Sequence, residues 1–413
     1  MRAFAPLAAT LLLFAAAAGC ASPNNPDQTG AAGGTGNTTG VAGAGGTSSV
    51  VMCGPQTPPA PAGGANYPFP QHRLSQSCAY PTNCNDADIQ MSWTTYKARH
   101  IVSASPGLRV QRPSDNNDTV SEGMAYGMLF AVYMNDKPTF DGLWQHAQAR
   151  RNSKGLLRWH YDGNGSPIGS GADNAATDAD EDAAFALIMA DKQWGGYLAA
   201  ANTHLTSMMN NMVAGDNTLR PDDVNSGDIN PSYFAPAYYR VFAQASGNAR
   251  WMQVLDRSYT LLELCAHDTT GLVPDWCTTG GGAARNSRYG YDAARAPWRI
   301  AQDACWYNEA RAKAYLGRVA AFFKGVGPSA IKDGYNLDGT NPGMYVSPTF
   351  EGPAGNAAMA ASGDYGEFMR QIYGRVSSVT KTGTSSAYNY YNASVGLLSL
   401  MLMTGNMANL YAL

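Results

Sequence analysis

In the stretch TVSEGMAYGM, residues 119–128, Glu122 falls just inside an expected helix start, with Gly123 and Gly127 following at i, i+4 spacing. Two readings of this acid stand side by side. Thr119 and Glu122 have the T-x-x-E spacing of a capping box, in which the two side chains satisfy backbone N–H groups left free at a helix start. Alternatively, the two glycines keep the helix surface open so that a bulky ligand can approach the carboxyl. Each glycine costs a helix about 1 kcal/mol relative to alanine, which calls for a packing or functional reason. A carboxyl at such a place suits general acid–base work, and that chemistry needs partners elsewhere in the chain.

A second acidic cluster, Asp178, Asp180, Glu181 and Asp182, opens another helical pattern in ATDADEDAAFALIMADKQW. Acids in a first turn are favoured by the helix dipole, and Asp178 with Glu181 can be a cap and its partner. Those effects explain one or two of the acids but not four. Further on, in SRYGYDAARAPWR, Asp292 is positioned as an N-cap, with aromatics beside it and Arg295 about one turn away. Between these stretches NPSYF forms a turn that presents Tyr233.

Apolar residues recur at spacings of 3 and 4 through 89–102, 123–134, 140–151, 179–192, 197–212, 234–245, 251–265, 293–304, 306–323, 367–376 and 390–404. Gly, Asn, Asp and Pro clusters separate most of these runs, and alternating strand patterns are few. The expected class is all-α, built of paired helices stacked as a solenoid or closed into a ring. The lack of a fixed-period repeat favours closure. In a closed ring alternate helix starts gather at one end, which would bring the acids and Tyr233 to one cleft.

Residues 1–20 carry one Arg, an apolar run and a closing AAGC, the pattern of an export leader. The ending resembles a bacterial lipobox with Cys20 as the lipidated residue, although Ala17 stands where Leu is usual; ordinary cleavage with release is the other reading. Residues 21–65 are dominated by Gly, Ala, Thr, Asn and Pro and are expected to be a flexible tether. Residues 66–413 then form one domain. A net charge of −3 with 14% charged residues argues against nucleic acid and anionic membrane surfaces as partners. Without Cys20, six cysteines remain in a compartment that permits disulfides, and short loops favour Cys78 with Cys84 and Cys265 with Cys277. Zinc is not expected, because no C-x-x-C or H-x-x-x-H is present. Asp162-x-Asn164-x-Ser166 begins like a calcium loop but lacks its later Gly and Glu, and is read as a polar turn.

SEGMAYGM around Glu122, ATDADEDAAF around Asp178, NPSYF with Tyr233, YDAARAPWR with Asp292, and YYNASVGLLSLM with Tyr391 come in an order that resembles glycoside hydrolase family 8. The resemblance runs from about Tyr67 to Ala408. One departure is Ala183, where the family has Ile or Met. The resemblance implies an (α/α)6 barrel and hydrolysis of β-1,4-linked polymers with inversion. It makes Glu122 the proton donor, Asp292 the base that activates water, and Asp178 the acid that holds the distorted sugar. Tyr233 would hold the water, while Trp159, Arg295, Asp180 and Tyr391 would contact substrate.

An inverting hydrolase needs one protonated and one ionised carboxyl about 6.5–9.5 Å apart. Burial is expected to keep the proton on Glu122, and Arg295 to favour the charged form of Asp292. No cofactor or metal is called for. The expected partner is a polysaccharide, the protein a monomer, and its location exported, either on the outer membrane or cell surface through lipid or secreted. Cellulose or mixed-linkage β-glucan is the first substrate choice, with chitosan or xylan as alternatives within the family. The acids Asp180, Glu181 and Asp182 would favour the ammonium groups of chitosan unless they simply face solvent. A non-catalytic carbohydrate-binding lipoprotein would need the aromatics but not both Glu122 and Asp292. A lyase would want more Lys and Arg in the cleft.

Overall fold

A computed structural model of the protein describes residues 59–224, 227–285 and 288–413. The leader, Cys20, Cys53 and the tether up to residue 58 lie outside the described residues. Twelve α-helices follow in order: α1 (Asp86–His100), α2 (Ser121–Tyr133), α3 (Lys137–Gln148), α4 (Thr177–Trp194), α5 (Leu198–Asn211), α6 (Pro236–Ser246), α7 (Arg250–Cys265), α8 (Ala296–Tyr307), α9 (Ala310–Val326), α10 (Pro348–Ala360), α11 (Gly366–Thr380) and α12 (Tyr390–Met403). Three two-residue or three-residue antiparallel ribbons decorate the loops: β1 (Ile101–Ser103) with β2 (Leu108–Val110), β3 (Thr119–Val120) with β4 (His160–Tyr161), and β5 (Arg288–Tyr289) with β6 (Tyr335–Asn336).

The helices alternate between two rings. The even-numbered helices form the inner one: α2 packs on α4, α4 on α6, α6 on α8, α8 on α10, α10 on α12, and α12 returns to α2. The odd-numbered helices lie outside against their chain neighbours, except α1, which packs on α12 and α11. This is the (α/α)6 barrel. The division follows from sequence: α7 and α11 bury one stripe and expose the other, whereas every residue of α2, α10 and, with the exception of Tyr391, α12 is buried. These three inner helices have almost no solvent face, and in α10 the apolar pattern is also interrupted.

That explains the one helix the periodicity misses. In α10, PTFEGPAGNAAMA, Pro353 and two glycines argue against a helix. Packing overrides them: a Cβ at Gly352 would lie 2.6 Å from Ser399 Oγ, and one at Gly355 would lie 2.4 Å from Met403 Cε. The glycines let α10 approach α12. The same holds for the pair beside Glu122, which the sequence reading assigned to ligand access. A Cβ at Gly127 would lie 2.9 Å from Leu143 Cδ1, and one at Gly123 would lie 2.7 Å from the Tyr390 hydroxyl. Gly123 makes room for a protein side chain, with consequences described below.

The segment before α1 closes the far end of the barrel. Gln71 Nε2 donates to Tyr133 O at the end of α2 and Asn66 Nδ2 to Lys192 O near the end of α4. Ala79 N donates to Met359 O of α10, and Arg73 N to Gly405 O beyond α12. Carbonyls left free at helix C-termini thereby gain partners. Cys78 adds a covalent tie to Cys305 of α8. The expected Cys78–Cys84 pair is therefore not made, because the closed ring brings a cysteine 227 positions away nearer than the one in the adjoining loop; Cys84 is itself disulfide-bonded. Cys265 pairs with Cys277 as expected. The stretch 162–166 is a turn, with Asp162 Oδ1 accepting from the backbone of Asn164 and Ser166.

Candidate active site

The opposite end of the barrel carries the starts of the inner helices, and the acids singled out in the sequence sit there. None of them caps its helix from the N-cap position, although Asp178 Oδ1 accepts from Ala179 N in the first turn of α4 at 2.9 Å. Thr119 Oγ1 donates to Val110 O and accepts from Arg109 Nη1, and α2 begins without any side-chain cap. The capping box with Glu122 does not form. The start of α4 likewise lacks a side-chain cap, and Glu181 accepts instead from the Tyr239 hydroxyl at 2.7 Å. Asp292 precedes a single 3-10 turn, Ala293–Arg295, that leads into α8. The capping there is done by Asp275, whose Oδ1 accepts from Gly290 N at 3.0 Å and Ala293 N at 2.9 Å. The Asp292 carboxyl is left for other work.

Arg295 joins the acids. Its side chain is 0% exposed. Its Nη1 donates to Glu122 Oε2 and to Asp178 Oδ2, both at 2.6 Å, and its Nη2 donates to Asp292 Oδ1 at 3.0 Å and Ser232 Oγ at 3.1 Å. The expectation that Arg295 contacts sugar hydroxyls is thereby corrected: its fork is turned inward onto three carboxyls from three parts of the chain. Glu122 and Asp292 bond to neighbouring amino groups of one guanidinium. Their bonded oxygens are therefore no more than about 8 Å apart, a ceiling that admits the separations of both inverting and retaining pairs.

Charge counting sets the protonation. Glu122, Asp178, Asp292 and nearby Asp275 outnumber the single guanidinium, and all are buried. Burial raises Glu122 to about 7, with Arg295 opposing and Asp178 adding. Burial also raises Asp292 to about 7, with Arg295 opposing and Asp275, Asp178 and Glu122 adding. Arg295 does favour the charged form of Asp292, as expected, but desolvation and the surrounding acids outweigh that one cation. The cluster retains a proton near neutral pH.

One helical turn deeper lies a second charged layer. Asp182, four residues after Asp178, makes a two-pronged pair with Arg299, four residues after Arg295, at 2.9 and 2.8 Å. Glu181 is held well above the usual carboxylate range by burial. Its partner Tyr239 also accepts from Ala235 N at 3.0 Å, which steadies the turn carrying Tyr233. Asp180 accepts from Leu157 N at 3.0 Å and lies 2.8 Å from His204 Nε2, with both side chains fully buried. The assignment of Asp180 to substrate contact is thus corrected. Asp180, Glu181 and Asp182 face neither a sugar nor solvent, because the whole first half of α4 is enclosed by neighbouring helices.

Around the acids the aromatic residues are distributed as follows. Tyr233 is buried with its ring 5.3 Å from the Arg295 guanidinium and edge-on to Trp276. Trp159 is half-buried; its Nε1 donates to Gly171 O, and its carbonyl accepts from Ser121 N at the entry to α2. Tyr391 donates to Tyr291 O at 3.0 Å, and the two rings lie 6.1 Å apart. Sequence reasoning missed Tyr390, whose hydroxyl donates to Glu122 Oε1 at 3.1 Å. The signal was the glycine at 123, which leaves space for that hydroxyl. It also missed Ser232 and Asp275, single polar residues without informative spacing. Among the described residues, no group of three His, Cys, Asp or Glu is placed to hold a metal ion.

Residues 67–405 match the family described as Glycosyl hydrolases family 8. Endoglucanase 2 of Ruminiclostridium josui is 38% identical over 380 residues, covering 89% of this chain and 80% of the relative. Endoglucanase A of Acetivibrio thermocellus is 40% identical over 339 residues, covering 78% and 70% respectively. Among solved structures, the apo form of a beta-1,3-1,4-glucanase from Paenibacillus sp. X4 superposes with a TM-score of 0.76 at 31% identity, covering 82% of this chain and 98% of the other.

Proposed function

We propose that this chain, which belongs to glycosyl hydrolases family 8 and is a glycoside hydrolase acting on polysaccharide, cleaves β-1,4-glucosidic bonds within cellulose or mixed-linkage β-glucan, with inversion at the anomeric carbon. The observation that carries the residue roles is the pair of arms of Arg295, one on Glu122 and Asp178 and the other on Asp292. Glu122, raised by burial, gives its proton to the leaving glycosidic oxygen as the C–O bond breaks. Asp292 takes a proton from the water that attacks the opposite face of the ring. Asp178 positions the distorted sugar, and Tyr233 holds the water. Once the bond is broken, Glu122 is ionised and Asp292 protonated, and exchange with solvent restores both.

The relatives named as endoglucanases and beta-glucanase support β-glucan as substrate. The one charge argument for chitosan falls away, since the acids of α4 beyond Asp178 are enclosed. The test is a reducing-end assay of the wild-type protein and Glu122→Gln on carboxymethylcellulose, lichenan, xylan and chitosan. Wild type should act on the first two, and the amide should lose at least about 10²-fold, since general acid catalysis contributes about 10²–10⁴-fold. Activity confined to xylan or chitosan, or a variant keeping more than about a tenth of the rate, defeats this reading. Export with lipid on Cys20 and a monomeric state belong to the same proposal. Membrane association that Cys20→Ala leaves unchanged defeats the lipid anchor.

A further inference from the structure

Beyond the acids, the loop after β6 holds two adjacent large side chains in solvent: Met344 is 75% exposed and Tyr345 51%. A lone exposed apolar residue needs no explanation. This pair is different because its backbone is fixed. Asp333 N donates to Tyr345 O at 2.9 Å, Tyr345 N donates to Asp333 Oδ1 at 2.9 Å, and Gly343 N donates to Gly334 O at 2.7 Å. Gly343 is required there, since a Cβ on it would lie 2.2 Å from Asp333 Oδ1. The same Asp333 carboxyl accepts from the Tyr291 hydroxyl through Oδ2 at 3.2 Å. Tyr291 directly precedes Asp292, and its carbonyl accepts from Tyr391.

A continuous path therefore leads outward from the candidate base. Tyr291 and Tyr391 are half-buried beside it, Asp333 links Tyr291 to the loop, and Tyr345 follows on that loop, about half exposed. Aromatic faces with a carboxylate between them suit a neutral ligand that has apolar faces and hydroxyl edges. A substrate cut in the middle must extend past the acids.

We infer that Tyr345, with Met344 beside it, forms an outer binding site for a sugar unit of a β-glucan chain whose cleaved bond lies at Glu122 and Asp292. The inference rests on the proposed activity. Tyr345 binds and does not take part in bond cleavage, so its loss raises KM for long chains and spares kcat.

The experiment compares wild type, Tyr345→Ala and Tyr345→Phe on mixed-linkage β-glucan and on cellotriose, with thermal melting as a check on folding. Tyr345→Ala should raise KM for the polymer by about 5–30-fold, the factor for losing one or two kcal/mol. Its kcat on the polymer and its kcat/KM on cellotriose should stay at wild-type values, and Tyr345→Phe should match wild type throughout. An unchanged polymer KM in Tyr345→Ala, or an equal loss on cellotriose, overturns the outer site while wild-type activity still upholds the proposed function. Wild type inactive on every β-glucan overturns both.

Discussion

The ion pair beneath the catalytic acids makes a quantitative prediction. Arg299→Met removes the partner of Asp182 and leaves a fully buried carboxyl beside Glu181. Breaking such a pair from one side costs about 3–5 kcal/mol. For roughly 350 residues at about 2.1 cal/mol/K each, the unfolding entropy is near 0.7 kcal/mol/K, so Tm should fall by about 4–7 °C. Asp182→Leu should fall by a similar amount, since it strands Arg299. The double variant Asp182→Leu/Arg299→Met replaces the pair by apolar groups of similar size, and should return to within about 1 kcal/mol of wild type. The contacts of Arg295 are separate from this pair, so the double variant should also keep its kcat within about tenfold of wild type, a barrier change of about 1.4 kcal/mol or less. Denaturant titration and thermal melting of all four proteins complete the cycle. Single variants that lose under 1 kcal/mol, or a double variant that loses the sum of the singles, would refute the reasoning that the layer matters as a matched pair.

Two further outcomes follow from the electrostatics. The Tyr390 hydroxyl favours the charged form of Glu122 through its hydrogen bond. Tyr390→Phe should therefore raise that carboxyl further and move the alkaline limb of the pH–rate profile upward; an unchanged or lowered limb contradicts the assignment of Glu122 as the acid. Glu122 and Asp292, both raised to about 7, hold protons more tightly folded than unfolded, so their contribution to stability declines as pH climbs from about 4 to about 7. Replacing both by Gln and Asn should stabilise the protein at pH 8 by a few kcal/mol and have little effect at pH 4.5, measured by denaturant melts; equal effects at both pH values contradict the shifts.

Helices of both rings were legible in the sequence, with α10 the exception. Outer helices such as α7 and α11 alternate buried and exposed faces, and their periodicity gives them away. The inner helices α2, α4, α6, α8 and α12 also show 3-and-4 spacing, whereas α10 escapes because Pro353 and its two glycines interrupt the pattern. The cluster holding Asp178 stood out because its four acids exceed what capping requires, whereas Glu122 and Asp292 each fitted a cap and were singled out by the resemblance of their motifs. Their neighbours could not be placed, because side-chain direction depends on which helix lies alongside: Asp178 reaches Arg295, while Asp180, two residues on, reaches His204. Arg295 was expected to meet sugar for the same reason, since nothing in its spacing from Asp292 reveals that α2 and α4 bring two more carboxyls to it. The Cys78–Cys305 bond escaped the short-loop rule because ring closure sets that distance, not the separation along the chain.

The central claim is that Glu122 and Asp292 divide the work of acid and base across a water molecule, with no sugar bound covalently to the protein. Proton NMR of the first products from a β-glucan oligosaccharide tests it before mutarotation mixes the anomers. Inversion at a β-linkage releases the α-anomer first. Initial release of the β-anomer would mean a covalent intermediate and would contradict the role of Asp292 as base.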